Sequence, residues 1–522
     1  MDSRYRRLLH DGLLVSAEAQ PEKTAVIVEG TPYTYRVLCE ASLRLAGQLR
    51  AFGLRRGDRV AIYMDNTQPC VVSIFAVLMA GGVFIVVNPQ TKADKLQYIL
   101  NDSLAIALIT DGHLSRIFLS VLAETPALRI VICCGSQPPP QRHEILSFDK
   151  VVAEGEPLPH SREVIPLDLA ALIYTSGSTG NPKGVMMTHQ AMTFTVGSLI
   201  EYLRLSSRDR IMNVLPLAFD YGLYQLLMAV HLGATFVLER SFSYPAQVLE
   251  RLTAQEVTVF PGVPTIYMML IAMHARRLLA FPSVTRITNT AAALPAGIVP
   301  KLQEIFPNAL VFRMYGLTEC KRVCYLEPEL IDKKPDSVGQ AIPGTEVFLL
   351  SEEGEPVPTG EVGILHVRGP HVMAGYWNQP ELTAQMLKPG RLPGERILCT
   401  QDLFKMDEDG CLFFMGRTDD MIKTRGEKVS AIEVENCLHA IPGVREAAVV
   451  GIPDDLLGEA IRAFVALEDD ATVTEKRIKA HCSSKLENFM VPKDVVFLRQ
   501  LPKTSTGKIS KKLLRQPAFL TA

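Results

Sequence analysis

The chain has almost no excess of either charge: 54 Lys and Arg stand against 56 Asp and Glu, a net of −2, and no basic stripe stands out. A phosphodiester backbone is therefore not an expected partner, and the charge balance argues against nucleic-acid binding. Paired CxxC spacing is missing too. The ten cysteines (positions 39, 70, 133, 134, 320, 324, 399, 411, 437 and 482) are scattered, which argues against zinc sites and disulfide scaffolds and for a reducing cytoplasm. Cys320 and Cys324 lie close together without histidine neighbours, so no metal is expected there. Repeats and low-complexity tracts are absent. The opening residues M-D-S-R-Y-R-R-L-L-H-D-G-L-L carry bases but no sustained apolar run or small-residue cleavage site, so no signal peptide is expected. One apolar run, Val71 to Val87, approaches membrane-spanning length. Gly81-Gly82 splits it and Asn88-Pro89 ends it, so it reads as buried helix, turn and buried strand rather than a span.

What the chain does have is length and an ordered loop. At 522 residues, 48% of them hydrophobic, it exceeds one ordinary core and should form at least two domains. Tyr174 to Val185, Y-T-S-G-S-T-G-N-P-K-G-V, gathers three glycines, four Ser/Thr hydroxyls and one lysine straight after the apolar run Leu169–Ile173, between a predicted strand and a predicted helix. Glycines let backbone N–H groups approach a polyphosphate, hydroxyls donate further bonds, and Lys183 supplies a point charge. ATP is the expected guest. Gly184, not a hydroxyl, follows Lys183, and the glycine spacing differs from G-x-x-x-x-G-K-[ST], so a P-loop ATPase or kinase is disfavoured.

Through the first 320 residues or so, apolar β-rich runs alternate with stretches of helical period; among the former are Val60–Tyr63, Val83–Val87, Ile130–Cys133, Leu169–Tyr174, Ile211–Leu215, Thr235–Leu238 and Val257–Phe260. This predicts an α/β fold: a large N-terminal domain of parallel-rich sheets flanked by helices, with the loops after Tyr174, Leu217 and Met314 converging on one crevice. From about 337 to 417 short strands with Gly and Pro turns predict a β-rich subdomain. The stretch T-D-D-M-I-K-T-R-G-E-K reads as a hinge, placing the boundary near Asp419: residues 1–418 as the core and 419–522 as a small mobile α+β domain.

Four further strings follow the loop in order: F-D-Y-G at Phe219–Gly222, Y-G-L-T-E at Tyr315–Glu319, D-L-F-K-M-D-E-D-G-C-L-F-F-M-G-R at Asp402–Arg417, and P-K-T-S-T-G-K-I at Pro502–Ile509. Together they resemble the adenylate-forming superfamily of acyl-CoA synthetases, peptide-synthetase adenylation domains and firefly-type luciferases, over roughly residues 20 to 515. The resemblance implies two half-reactions. A carboxylate attacks the α-phosphate of ATP and expels pyrophosphate, then a thiol attacks the acyl-adenylate to give a thioester and AMP.

It also implies roles. Thr175, Ser176, Gly177, Ser178, Thr179, Gly180 and Lys183 would hold the β and γ phosphates, Glu319 would take Mg²⁺, and Thr318 would lie at the α-phosphate. Tyr315, followed by Gly316, would stack on adenine. Asp402, an acceptor-only carboxylate, and Arg417 would bind the ribose diol. Lys508 resembles the lysine that bridges the two anions during adenylation, Asp419 the hinge, Gly426 the lining of the pantetheine tunnel and Lys428 an ATP-contacting base.

For the acid, Phe219 stands where many acyl-CoA ligases have histidine and amino-acid-activating members have phenylalanine followed by an ammonium-binding aspartate; here Asp220 follows. A buried carboxylate needs a partner, which an amine-bearing substrate would supply; equally, Asp220 would cap the helix from Tyr221 to Val230. Thr290-Ala291-Ala292 resembles the wall of the acyl pocket, with methyls suggesting a compact acyl group. Lys321 and Arg322 either face solvent, the plainer expectation, or recognise a second anion on the substrate. The thiol is CoA or the phosphopantetheine of a separate carrier protein. The expected activity is thus an AMP-forming acid–CoA ligase. A stand-alone enzyme loading an amino or imino acid onto a carrier protein is the runner-up, and a luciferase-like oxygenase and a non-catalytic homologue are the remoter alternatives.

Overall fold

The computed structural model describes residues 6–136, 144–159, 163–175, 181–290, 294, 296–418, 421–424, 427–454, 457–486, 488–504 and 508–516. Their contacts fall into two compact units. The first comprises Met1–Pro335, Gly339–Val347 and Val367–Leu398; the second comprises Asp336–Val338, Phe348–His366 and Cys399–Ala522. The β-rich stretch expected over 337–417 is thus shared between them. Asp419 lies outside the described residues.

The first unit is built on two sheets. One has eight strands, in the order Gly375–Tyr376, Lys183–Thr188, Leu169–Thr175, Val83–Val87, Arg59–Tyr63, Ala107–Asp111, Ile130–Cys134 and Ile145–Ser147. From Leu169–Thr175 onward the pairings are parallel, while Lys183–Thr188 and Gly375–Tyr376 add on antiparallel at one edge. The other has nine strands, with a parallel series from Leu310–Tyr315 through Arg286–Asn289, Val259–Gly262, Arg210–Asn213 and Thr235–Leu238 to Thr24–Val28. These are the α/β architecture and parallel-rich sheets that the alternating runs predicted.

Composition explains the interior strands. Val83–Val87 is V-F-I-V-V and buried at every position, as a strand covered on both faces must be. Before it, the helix Gln68–Met79 is apolar almost all round and buried from Cys70 to Met79; Thr67 starts it by accepting from the Cys70 N–H. Gly81 turns the chain at φ +76, a conformation L side chains rarely adopt. The suspected span is therefore helix, turn and strand, and no helix among the described residues is long and apolar enough to cross a membrane.

At the C-terminal ends of the parallel strands Asn66, itself buried, donates to the carbonyls of Leu215 and Glu239, both at 2.9 Å, and accepts from the Leu217 N–H. One amide side chain thereby pins the loop after Tyr63 to those after Asn213 and Leu238. Buried amide groups need such partners, and here the need ties the ends of the two sheets together.

The second unit contains the hairpin in which Asp402 pairs with Arg417 and Met406 with Leu412. It also has a sheet in which the long antiparallel pair Val444–Asp454 and Gly458–Leu467 is flanked by Asp494–Phe497 and by Met421–Thr424. Helices Ala431–His439 and Glu475–Lys485 cover one face through Val434, Leu438, Ile478 and Cys482. This is α+β, in keeping with the mixed pattern of the last hundred residues.

Candidate active site

The strand Leu169–Thr175 pairs antiparallel with Lys183–Thr188, so Thr175 and Lys183 face each other, and a strand stands directly after the lysine where a helix was expected, the helix beginning only at His189. Ser176, Gly177, Ser178, Thr179 and Gly180 lie outside the described residues. At the root of the loop, the Thr175 hydroxyl is buried without a hydrogen-bond partner. An orphaned hydroxyl of this kind costs about 1–3 kcal/mol, which a ligand oxygen would offset. Gly184 follows Lys183 because the Tyr174 ring lies over it: an added Cβ would come within 3.1 Å of Tyr174 Cζ and 3.4 Å of Trp377 Cβ. The Tyr174 hydroxyl donates to Asp102 Oδ2 and the Trp377 indole N–H to the Asp102 carbonyl at 2.9 Å, holding both rings in place.

Lys183 does not point into solvent. Its ammonium donates to Tyr376 Oη at 2.8 Å and to Glu319 Oε1 at 3.3 Å and sits 4.2 Å from the centre of the Tyr376 ring, while the Tyr376 hydroxyl donates to the same Glu319 oxygen at 2.6 Å. Two of the three segments that the alternating sequence pattern led us to expect in one crevice, those after Tyr174 and Met314, thus meet at one carboxylate; the third, after Leu217, reaches the Met314 loop through Asp220 and Lys321. Tyr376 was missed from sequence. It is placed by the short strand Gly375–Tyr376, which pairs with Val185 and Met186, and the legible signal was the string M-A-G-Y-W with its glycine, now seen at φ +138.

Tyr315 ends its strand half-buried, followed by Gly316, Leu317 and Thr318, also half-buried, and then buried Glu319. Gly316 is required by close approach, because a Cβ there would come within 2.1 Å of the Lys321 carbonyl. The Lys321 N–H donates to the Leu317 carbonyl at 2.7 Å and the Val323 N–H to Tyr315 O at 3.0 Å, closing the loop.

The expectation that Lys321 and Arg322 face solvent is overturned. They are 1% and 3% exposed. Lys321 has φ +66, and its ammonium lies 3.9 Å from Asp220 Oδ2, in ion-pair range but beyond hydrogen-bond length. Burial pulls that ammonium below the ordinary lysine range, with Asp220 and Glu319 opposing. The Arg322 guanidinium stands 5.1 Å over the Tyr221 ring and donates through Nη1 to the Lys321 carbonyl at 2.7 Å.

Asp220 opens the helix Asp220–Leu232 but its side chain makes no capping hydrogen bond; half-buried Phe219 stands at the cap with an extended backbone. The capping expectation is therefore corrected, and the carboxylate's ion-pair partner is Lys321. One residue on, the Tyr221 hydroxyl donates to the Thr288 carbonyl at 2.6 Å, fixing the helix to the strand Arg286–Asn289. Thr290, just past that strand, is buried with a hydroxyl that has no hydrogen-bond partner. Ala291 and Ala292 lie outside the described residues.

In the second unit Asp402 is buried at a register position opposite Arg417, whose Nε lies 3.6 Å from Asp402 Oδ1. Gln401, immediately before it, has φ +59, and the Asp402 N–H donates to Thr400 Oγ1 at 3.1 Å. Lys508 is exposed; its N–H donates to Thr504 Oγ1 at 3.3 Å and its carbonyl accepts from the Thr504 N–H at 2.7 Å. Gly426 and the Lys428 side chain lie outside the described residues.

The model for the AMP-binding enzyme family matches residues 13–377, and that for the AMP-binding enzyme C-terminal domain matches 433–508. The chain is 32% identical over 534 residues to a long-chain-fatty-acid–CoA ligase of Bacillus subtilis (strain 168), covering 97% of this chain and 94% of the relative. It is 34% identical over 506 residues to a feruloyl-CoA synthase of Amycolatopsis sp, covering 96% and 97%. Among solved structures, ATP-bound MatB from Rhodopseudomonas palustris superposes with a TM-score of 0.88 at 27% identity, covering 99% of each chain.

Proposed function

Since the chain belongs to the AMP-binding enzyme family, we infer that it is an AMP-forming carboxylic acid–CoA ligase using ATP, Mg²⁺ and CoA. In the first half-reaction an acid oxygen bonds to the α-phosphorus as the bond to pyrophosphate breaks. In the second, the CoA sulfur bonds to the acyl carbon and AMP leaves with the pair of electrons of the broken C–O bond.

The observation that carries this reading is the group formed by Lys183, Glu319 and Tyr376 beside the glycine-rich loop. Phosphoryl transfer asks chiefly for charge neutralisation and positioning. Lys183 supplies a cation for the β and γ phosphates, and Tyr376 steadies Glu319 through a hydrogen bond that survives if the lysine turns to a phosphate. Glu319, buried and carrying one carboxylate, fits a magnesium site of the kind completed by phosphate oxygens, and would hold the ion that spreads the phosphate charge. Thr175, with its orphaned hydroxyl, suits a phosphate oxygen, and Thr318 the α-phosphate.

The remaining assignments belong to the same proposal. Tyr315 with Gly316 would face adenine, Asp402 with Arg417 the ribose, Lys508 the charge between carboxylate and α-phosphate, and Lys428 the nucleotide. Asp419 would be the hinge and boundary of a small mobile domain, and Gly426 would leave room for pantetheine. A carrier-protein phosphopantetheine presents the same thiol arm as CoA and is the alternative acceptor. The ATP and CoA it draws on argue for a cytoplasmic site of action.

ATP–pyrophosphate exchange over fatty, aromatic and amino acids, followed by thioester formation with CoA, tests the reading. Exchange with at least one acid and a CoA-dependent thioester are expected. No exchange with any acid would overturn it.

A further inference from the structure

Lys321 bears three costs at one position. Its backbone is left-handed at φ +66, which an L side chain with a Cβ disfavours. Its side chain is wholly buried, and its ammonium has no hydrogen-bond partner. Each cost is avoidable by substitution, and strain joined to a buried charge beside a proposed reaction centre points to function rather than packing.

The loop holds the ammonium where it is. Gly316 lets the Lys321 carbonyl approach, Leu317 O takes its N–H, and Arg322, itself stacked over Tyr221, clamps its carbonyl. The group it faces is the Asp220 carboxylate, whose side chain remains 22% exposed at the start of its helix. A carboxylate so placed attracts a cation, and the chain supplies one from within.

We propose that Lys321 is a specificity-determining residue: its ammonium occupies the counter-ion position beside Asp220, so the enzyme selects carboxylic acids that carry no amino group and rejects those that do. This rests on the ligase reading above and names the class of acid within it. An amine-bearing acid entering beside the pair would meet a neutralised carboxylate and a nearby like charge, and like charges brought together in a partly dry site repel strongly. Lys321 acts through Asp220 and the local field rather than on reacting atoms.

The test is kcat/KM in ATP–pyrophosphate exchange for acid pairs that differ only in a 2-amino group: acetate and glycine, octanoate and 2-aminooctanoate, 3-phenylpropanoate and phenylalanine. The wild type should prefer the amine-free member. Lys321→Met should shift the preference towards the amine-bearing member by about tenfold, expressed in KM more than in kcat. Lys321→Arg should leave the preference in place, and the double variant Asp220→Asn/Lys321→Met, which leaves no unpaired charge, should restore it. Because each preference is a ratio within one preparation, a variant that folds in poor yield still gives the answer. A wild type that prefers amino acids, or a ratio unmoved by Lys321→Met, overturns the proposal while leaving the ligase reading intact. No exchange with any acid overturns both.

Discussion

The loop after Met314 and the string ending at Lys508 each carry a lysine in a glycine-flanked or strained setting, but the two lysines are held in opposite ways. Lys321 is buried and left-handed, its backbone locked by Leu317 and Arg322, with one carboxylate in ion-pair range. Lys508 is exposed, its backbone held by two hydrogen bonds to Thr504. A buried cation has its partner chosen by the fold and changes that partner only at large desolvation cost. An exposed one carries its charge cheaply and can serve a reaction in which charge appears and disappears. The first suits standing discrimination between substrates, the second transient stabilisation.

Removing each charge sharpens that contrast. The largest effect should come from Lys508→Ala, which should slow ATP–pyrophosphate exchange by about 10²–10³-fold, as loss of a charge-stabilising group typically does. Thioester formation from supplied acyl-AMP should be largely retained and thermal stability unchanged. Equal loss of both half-reactions would remove the division of labour assigned to this residue. Glu319→Gln keeps an acceptor for Tyr376 but removes the charge proposed for magnesium; exchange should fall by about 10²-fold and the magnesium requirement should rise. A normal magnesium titration would speak against that role.

Asp220→Asn probes the buried side of the comparison. It strands the Lys321 ammonium and should lower stability by about 1–3 kcal/mol in urea unfolding, less than for a fully buried pair because Asp220 is partly exposed. Burial already depresses the Lys321 pKa in the folded protein. The unfolded chain therefore binds more protons as the ordinary lysine range near about 10.4 is approached, and stability contributed by this group rises with pH. The deficit of Asp220→Asn should accordingly shrink between neutral pH and about pH 10; a deficit independent of pH would mean that the ammonium is not what is stranded.

The smallest effect extends the contrast to buried neutral groups. Burial pulls the imidazole of His189 down to about 3 and those of His231 and His371 to about 4. They stay neutral in the folded state while the unfolded chain takes up protons below about pH 6.5, so stability falls as pH drops from there towards 4. His189 Nδ1 also accepts from the Leu9 N–H at 3.1 Å. His189→Gln should flatten the slope of unfolding free energy against pH by up to about 1.4 kcal/mol per pH unit, and an unchanged slope would assign the acid sensitivity elsewhere.

Much of the fold was legible because its signals are local. Val83–Val87 is continuous β-branched and aromatic sequence ended by Asn88-Pro89, and it forms the strand over those same residues. Gly81-Gly82 announced the turn that the φ of Gly81 requires. The glycine-rich loop was readable in part for the same reason, since strand, small residues and lysine are consecutive; the strand Lys183–Thr188 was not, because it exists through its pairing with Leu169–Thr175, and the helix expected there begins only at His189. Tyr376 was not, because its place beside Lys183 depends on an antiparallel pairing between strands far apart in the chain. Lys321 and Arg322 were misread because charged residues in a loop are ordinarily solvated; the positive φ that turns Lys321 inward leaves no mark in composition.

The order of residues alone determined the α/β class, the identity of the reacting nucleotide and the general chemistry, since each is encoded in short contiguous strings whose backbone needs are met locally. What only the folded chain decided is which charges stand together: Lys183 with Glu319 and Tyr376, and Asp220 with Lys321. Coulombic interactions depend on separation in space and on how much water remains between the charges, and both are set by sheet pairing and burial rather than by distance along the chain.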